Sequence, residues 1–353
     1  MSKALSDMLD AVPLPALLID GSERIVGANE DARALIGRGI EGRNFVTMLR
    51  QPALIDAVEA VLRDSRPRVA PYLANDGVQE TTFRVTARVI SDQRVILLCF
   101  LDVTDVEQAG QMRRDFVANV SHELRTPLTA LMGFIETLRG PARGDAEARD
   151  RFLDIMEGEA GRMNRLVGDL LSLSRVEGDE RVRPRDQVNL TALLASVLRT
   201  LKPLAADAGV VFEEDFGAGD VMLTGDADQL MQVFTNLIEN AIKYGASGGR
   251  VTVRLDRSER DPALRAPGVR VHVIDYGAGI DTIHLPRLTE RFYRADSHRS
   301  RALGGTGLGL AIVKHIINRH RGHLKIDSEL GHGAQFTVVL PLQIAAVGSE
   351  SQS

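Results

Sequence analysis

The spacing of apolar positions divides the chain into three kinds of segment, and the first is a mixed one. Residues 8–104 alternate strand patterns, at 16–20 and 24–28, with helical ones, and their last two strand patterns, 81–90 and 94–103, are the longest. We expect those two strands to pair as an antiparallel hairpin across residues 91–93. A polar stretch of helical spacing follows from residue 105 to 115, and we expect it to continue as helix into the next segment.

The second segment, residues 116–176, has the heptad-like spacing of two long amphipathic helices. A turn rich in glycine and proline at 140–144 separates them, which predicts an antiparallel hairpin. Neither apolar stripe can be buried by the other helix alone, so we expect two hairpins to pair as a four-helix bundle in a homodimer. The stripe positions are Val117, Val120, Leu124, Leu128, Leu131, Ile135 and Leu138, then Met163, Leu166, Leu170 and Leu173.

The third segment, residues 187–342, alternates helical and strand patterns, which predicts an α/β domain and makes the whole chain multidomain α+β. The polar stretch 177–186 before it is predicted to be a linker, and the small polar tail 343–353 to be disordered. The predicted helices are 190–206, 227–244 and 308–320, and the predicted strands are 210–214, 221–224, 250–255, 269–274, 323–328 and 334–340.

Composition limits the class of protein, the partners and the cellular compartment that we expect for this chain. Of 353 residues, 44% are apolar and 26% are charged, a balance typical of folded domains, and the net charge of -5 argues against a nucleic-acid partner. The single cysteine, Cys99, cannot form an internal disulfide, so nothing indicates an oxidising compartment. The longest apolar run, Val95–Leu101, is far shorter than the roughly 20 residues of a membrane helix. We therefore expect a cytoplasmic protein without a transmembrane segment or signal peptide.

Four polar side chains share one face of the predicted helix at 227–244. Asn236, Asn240, Lys243 and Tyr244 lie three or four residues apart or adjacent, as neighbours on a helix surface do. A carboxamide oxygen is a hard neutral ligand that suits Mg²⁺ already bound to phosphate, and an ammonium group suits the phosphates themselves. This face predicts one wall of a nucleotide site, with Asn240 as the metal ligand.

Three further patches fit the same ligand. Asp275 directly follows a predicted strand and can accept a hydrogen bond from the adenine amine, while Gly277 and Gly279 let backbone approach the base. Arg294, in the run 290–294, is a source of a guanidinium for the terminal phosphate. The glycine-rich run 304–310 opens a helix, where free N–H groups favour an anion. The residues of this run that we predict to contact the nucleotide are Gly305, Thr306, Gly307, Leu308 and Gly309.

Each patch alone is more often an ordinary surface, turn or amphipathic edge. Together, with the run Ser121–Pro127 around His122, they resemble the sensor histidine kinases of two-component systems, and residues 113–120 are similar to the phosphate-regulon sensor type. The resemblance implies an α/β sandwich that binds ATP and Mg²⁺ under a mobile lid at about 278–302. It also implies that His122 is phosphorylated and then donates phosphate to an aspartate in the receiver domain of a separate response regulator.

The residues around His122 suit that chemistry. Its neutral imidazole is available near neutral pH, and Glu123 can hydrogen-bond the other ring nitrogen or take its proton. Thr126 lies one turn on, where the family places a residue that positions water for regulator dephosphorylation. Pro127 cannot donate to the carbonyl of Glu123, so we expect a bend there. ATP-hydrolysing relatives of the ATP domain have a glutamate base at the position of Asn236, so its absence favours transfer over hydrolysis.

The first segment resembles a PAS domain. It contains no histidine, which excludes histidine ligation of haem, and we expect an unliganded domain that forms dimers. Two other functions stay open for the whole chain: an inactive kinase that serves as a docking platform, and a phosphatase of the regulator. His122, Asn240, Asp275 and Gly307 together favour an active kinase, while Thr126 leaves the phosphatase open.

Overall fold

The computed structural model describes residues 3–75, 77, 80–90, 95–179, 182–295 and 305–342. The chain divides into two compact units, Met1–Ala118 and Asn119–Ser353. Both mix helices and strands, as the sequence predicts.

The first unit is built on a five-stranded sheet in the order β2-β1-β5-β4-β3. The predicted antiparallel pairing of β4 and β5 is present, with Phe83 opposite Asp102, while the connecting residues 91–93 lie outside the described part of the chain. Its elements are α1 (Lys3–Asp10), β1 (Ala16–Ile19), β2 (Ile25–Ala28), α2 (Glu30–Ile36), α3 (Phe45–Leu49), α4 (Pro52–Asp64), β3 (Arg68–Asn75), β4 (Glu80–Val89) and β5 (Ile96–Asp102).

Aromatic side chains fill one end of the core of this unit. The Tyr72 and Phe100 rings meet edge to face with centroids 5.3 Å apart, and the Phe83 ring lies 6.3 Å from that of Phe100. Tyr72 comes from β3, a strand that the sequence analysis missed. This strand supplies Ala70 and Tyr72 to the core while Val69, Pro71 and Leu73 on its other face stay exposed.

Two long helices follow. Helix α5 (Thr104–Arg139) is 36 residues long and continues through Pro127, and α6 (Ala146–Asp179) is 34 residues long. The continuous helix expected from residue 105 onward is therefore present. Phe134 and Phe152 pack across the hairpin with ring centroids 5.3 Å apart. Helix α6 continues beyond residue 176 to Asp179, into the stretch predicted as a linker.

The remaining elements form a second five-stranded sheet, in the order β11-β12-β10-β9-β7, with helices packed on one face. Among the described strands of this sheet, β7 and β9 alone pair in parallel. Strands β9 and β10 are longer than predicted, because Asp261 accepts hydrogen bonds from Ala263 and Arg270 and so orders their connection. A short pair, β6 with β8, was predicted only in part. The elements are β6 (Asp186–Asn189), α7 (Leu190–Asp207), β7 (Val211–Asp215), β8 (Met222–Gly225), α8 (Ala227–Gly245), β9 (Arg250–Asp261), β10 (Ala266–Asp275), α9 (Gly309–Arg319), β11 (His323–Ser328) and β12 (Ala334–Pro341).

None of the helices in the described ranges combines the length and the apolar character that crossing a membrane requires.

Candidate active site

Helix α8 forms one wall of a cavity of about 730 Å³. Asp226 caps its first turn by accepting the Gln229 N–H, and its apolar side, which includes Phe234 and Leu237, is fully buried. That burial fixes the rotation of the helix, so its polar face is turned to the cavity. All four predicted side chains line this cavity: Asn236, Asn240, Lys243 and Tyr244. The Nζ atom of Lys243 also lies 2.7 Å from the Oε2 atom of Glu239, one turn back.

Asp275, at the end of β10, marks one end of the cavity. Its side chain is buried, its Oδ1 atom accepts the Gly277 N–H at 3.0 Å, and burial raises its pKa above the ordinary value. Gly277 does not line the cavity; it packs where a Cβ atom would lie 2.7 Å from the Cα atom of Gly245. Gly279 does line it, at a φ of +70°, and a methyl group there would overlap the carbonyl oxygen of Glu329. This end is therefore built from closely packed backbone.

The glycine-rich run forms another part of the cavity wall and leads into α9. Four of its predicted residues line the cavity: Gly305, Thr306, Gly307 and Gly309. Gly307 has a φ of +74°, and its carbonyl oxygen accepts the Phe292 N–H at 2.8 Å, which ties the run to the segment of Arg294. Leu308 is fully buried and anchors the helix, with its backbone N–H 3.3 Å from the Thr306 hydroxyl. Residue 304, at the start of the run, and residues 296–302 of the expected lid lie outside the described residues.

Helix α6 of the hairpin supplies a further wall that the sequence analysis did not find. Arg165, Gly168 and Asp169 line the same cavity. The Thr306 hydroxyl donates to the Oδ2 atom of Asp169 at 2.6 Å. Burial raises the pKa of the Asp169 carboxyl, and Glu239 adds to that rise.

The residue next to His122 is joined to the cavity by an arginine. The Oε2 atom of Glu123 accepts from both Arg294 and Arg162, each at 3.1 Å. Arg294 lines the cavity and its side chain is only 9% exposed. The sequence predicts that Glu123 can hydrogen-bond the other ring nitrogen of His122 or take its proton, whereas its described hydrogen bonds go to the two arginines. Its carboxylate replaces part of the solvation that these guanidinium groups lose on burial.

His122 itself is exposed on α5. Its carbonyl oxygen accepts the hydroxyl of Thr126 at 3.2 Å, so these two residues share a helix face one turn apart, as predicted from their spacing. The bend expected at Pro127 stays a prediction; the residue lies inside the helix.

The chemistry of the cavity suits a nucleotide. Asn236 Nδ2 and Arg294 Nε are buried donors without a hydrogen-bond partner among the described residues, and such groups call for a ligand rich in acceptors. The described part of the chain contains no cluster of three acidic, histidine or cysteine side chains that would hold a metal by itself. Mg²⁺ held by the Asn240 carbonyl would therefore take its other ligands from phosphate oxygens and water, which is its usual preference beside phosphates.

Fold and site together define a protein in which a helical hairpin that carries an exposed histidine also forms one wall of the cavity in an α/β domain. Residues 112–179 match the family described as His Kinase A (phospho-acceptor) domain. Residues 225–344 match the family described as Histidine kinase-, DNA gyrase B-, and HSP90-like ATPase. The chain belongs to the sensor histidine kinases of two-component systems.

Individual relatives agree with this membership. The chain is 44% identical over 250 residues to the phosphate regulon sensor protein PhoR of Pseudomonas aeruginosa, covering 70% of this chain and 55% of that protein. It is 36% identical over 265 residues to the sensor histidine kinase WalK of Bacillus subtilis, covering 74% of this chain and 42% of that one. The chain thus spans about half the length of these two curated relatives. It is 33% identical over 349 residues to the sensor-like histidine kinase SenX3 of Mycobacterium bovis, covering 98% and 82%.

A solved structure shares the fold. The crystal structure of histidine kinase ThkA in complex with response regulator protein TrrA aligns with a TM-score of 0.52 at 20% identity, covering 97% of this chain and 99% of that one.

Proposed function

We propose that the chain is an ATP-dependent protein-histidine kinase that phosphorylates His122. The observation that carries the proposal is the contact between Arg294, which lines the nucleotide cavity, and Glu123, the residue after His122. A single side chain, that of Arg294, thus connects the nucleotide cavity with the residue next to His122.

In this mechanism ATP is the phosphoryl donor, and Asn240 would hold a Mg²⁺ ion that would neutralise charge on the phosphates. Asp275 holds the adenine amine, and Lys243 and Arg294 supply positive charge at the phosphate end. A ring nitrogen of His122 bonds to the γ-phosphorus as the bond to the bridging oxygen breaks, and ADP leaves. Glu123 takes the proton from the imidazole. The side chain of Asn236 cannot take a proton from water, which favours phosphoryl transfer to His122 over hydrolysis of ATP.

Phosphohistidine would then pass its phosphoryl group to an aspartate in the receiver domain of a separate response regulator. The exposure of His122 supports this step, because a second protein must reach the same nitrogen. Dephosphorylation of that regulator is a second candidate activity, supported by the exposed Thr126 on the same helix face.

We infer that two copies of the chain pair through their hairpins. Apolar side chains stay exposed on both hairpin helices, and pairing of two hairpins into a four-helix bundle would bury them. On α5, Leu128 is 49% and Met132 is 56% exposed. Within residues 116–176, further exposed apolar side chains are Val117, Ile135, Leu153, Ile155, Val167 and Leu171.

For the first unit we propose a PAS-type sensor role without a bound cofactor. The five-stranded antiparallel sheet supports this, as does a core filled by aromatic rings of Tyr72, Phe83 and Phe100. A cytoplasmic location, expected from composition, belongs to the same proposal.

Radiolabelled ATP tests the central claim. We expect the full chain to acquire an acid-labile, base-stable phosphate, and His122→Ala to abolish it. His323→Ala, at an exposed position on β11, is the matched control and should label normally. Label that persists in His122→Ala would refute the assignment.

A further inference from the structure

Two carboxylates of the hairpin accept hydrogen bonds from Arg294 and Thr306, two residues that the sequence predicts to contact the nucleotide phosphates. We call Glu123 and Asp169 the hairpin carboxylates. Glu123 accepts from Arg294 at 3.1 Å, and Asp169 accepts from the Thr306 hydroxyl at 2.6 Å. Both acceptor contacts therefore come from the helical hairpin, and both donors come from the wall of the nucleotide cavity.

In both contacts a carboxylate accepts a hydrogen bond that a phosphate oxygen of a polyphosphate could accept. A carboxylate and a phosphate are both anionic oxygen acceptors, and each forms strong charge-assisted bonds with a guanidinium. The Thr306 hydroxyl has a single proton, so it donates either to Asp169 or to a phosphate oxygen. The Nη2 atom of Arg294, whose side chain is 9% exposed, already donates to Glu123, and a phosphate bound at that atom would compete with the carboxylate.

The local charge points the same way. Asp169 lies near Glu239, and among the described residues Lys243 and Arg165 are the charges that oppose them. A nucleotide triphosphate would add several negative charges to this partly enclosed space, where repulsion is stronger than in water. Its binding therefore works against the Asp169 contact as well as the Glu123 contact.

We propose that the hairpin carboxylates are internal competitors of the nucleotide polyphosphate, and that ATP binding breaks their contacts with Arg294 and Thr306. This inference rests on the proposed function and adds a control step to it. Once Arg294 turns to phosphate, Glu123 keeps a single arginine partner, Arg162, and becomes available to His122. The proton acceptor is thus freed when the phosphoryl donor arrives.

Other contacts between hairpin and ATP domain provide a matched control. Glu177 of α6 pairs with Arg291 at 2.6 Å. Glu177 does not line the nucleotide cavity, so its loss would loosen the same pair of elements without unmasking a phosphate ligand.

Nucleotide binding to the full chain, measured by calorimetry, tests the proposal. The probes are a non-hydrolysable ATP analogue and adenosine, which lacks phosphate. We expect Asp169→Ala to bind the triphosphate analogue about tenfold more tightly than the unmodified chain, with adenosine affinity unchanged. Glu177→Gln should change neither affinity.

Glu123→Gln keeps the shape of the side chain and removes its charge, so it should also tighten triphosphate binding, and it replaces Asp169→Ala if that variant fails to fold. An unchanged triphosphate affinity in both variants overturns the competition and leaves the kinase proposal standing. An equal gain for adenosine, or for Glu177→Gln, also overturns it. Absence of nucleotide binding by the unmodified chain would overturn both proposals.

Discussion

Replacing Asp275 by asparagine changes a single atom at the buried end of the cavity. The new side chain could still accept the Gly277 N–H through its carbonyl oxygen, so the turn after β10 should keep its structure. The second carboxylate oxygen becomes an NH₂ group, which donates and cannot accept. The Asp275→Asn substitution therefore tests the adenine contact while leaving the fold intact.

The size of the effect follows from the burial of this side chain, which is 6% exposed. A hydrogen bond to a charged group contributes about 1.5–3 kcal/mol, so losing the bond from the adenine amine should weaken ATP binding about 10- to 150-fold. Guanine carries an oxygen acceptor, O6, where adenine has its amine. The new NH₂ group can donate a hydrogen bond to that oxygen, which favours GTP. The ratio of ATP affinity to GTP affinity should therefore decrease by a larger factor than ATP affinity does.

The pH dependence gives a second readout. Burial raises the pKa of Asp275 above its ordinary value of 3.8, and adenine prefers the ionised form. ATP affinity should therefore decline as the pH falls through the raised pKa, by up to about tenfold per pH unit. The asparagine variant has no such group, so the difference between the two proteins isolates the contribution of Asp275 from titration of the nucleotide phosphates.

Calorimetric titration of both proteins with non-hydrolysable ATP and GTP analogues, repeated across pH, measures these quantities. Circular dichroism checks that the variant is folded. An unchanged ratio of ATP to GTP affinity, or the same pH dependence in both proteins, would refute the placement of adenine against Asp275.

Four further outcomes are expected. Asn240→Ala should weaken binding of Mg-ATP but not of metal-free ATP, as calorimetry with and without Mg²⁺ would measure; equal loss would move the metal elsewhere. Thr126→Ala should lower regulator dephosphorylation more than autophosphorylation, and equal losses in the two assays would count against its role. Gly279→Ala should destabilise the ATP domain by about 2–5 kcal/mol in urea unfolding, through left-handed strain and overlap with backbone; an unchanged unfolding midpoint would contradict this. His320 accepts the Asp226 N–H and burial lowers its pKa, so stability should be complete above its unfolded pKa of about 6.5 and fall below it, more steeply than in His320→Gln; parallel curves would contradict this.

The sequence predicts which residues of α8 line the cavity because side-chain positions on a helix complete one turn every 3.6 residues. Burial of Phe234 and Leu237 fixes which side of the helix faces inward, and the positions of Asn236 and Asn240 then follow from counting. The same reasoning places His122 and Thr126 on one face of α5.

Two strands escaped the sequence analysis for a different reason. Strand β3 contains Pro71, which argues against a strand unless it lies at a sheet edge, and β3 is an edge strand. Strand β6 buries only Val188 within four residues, so its pattern is too short to separate from a loop.

The hairpin wall of the cavity could not be predicted from periodicity. Asp169 is 137 residues from Thr306 in sequence, and Glu123 is 171 residues from Arg294. Heptad spacing identifies the apolar stripe of α6, but it assigns every polar position beside that stripe to solvent. Only the packing of α9 on α6 distinguishes Asp169 from its polar neighbours.

Different parts of the cavity wall tolerate different kinds of substitution. Beside Asp275, Gly279 meets the backbone of Glu329 and Gly333 meets the backbone of Asp275, so even one added methyl group collides with main chain. Arg294 and Asp169 instead reach the cavity through their side chains, which hydrogen-bond Glu123 and Thr306. The cavity can therefore diverge in sequence at Arg294 and Asp169 more readily than at Gly279 or Gly333.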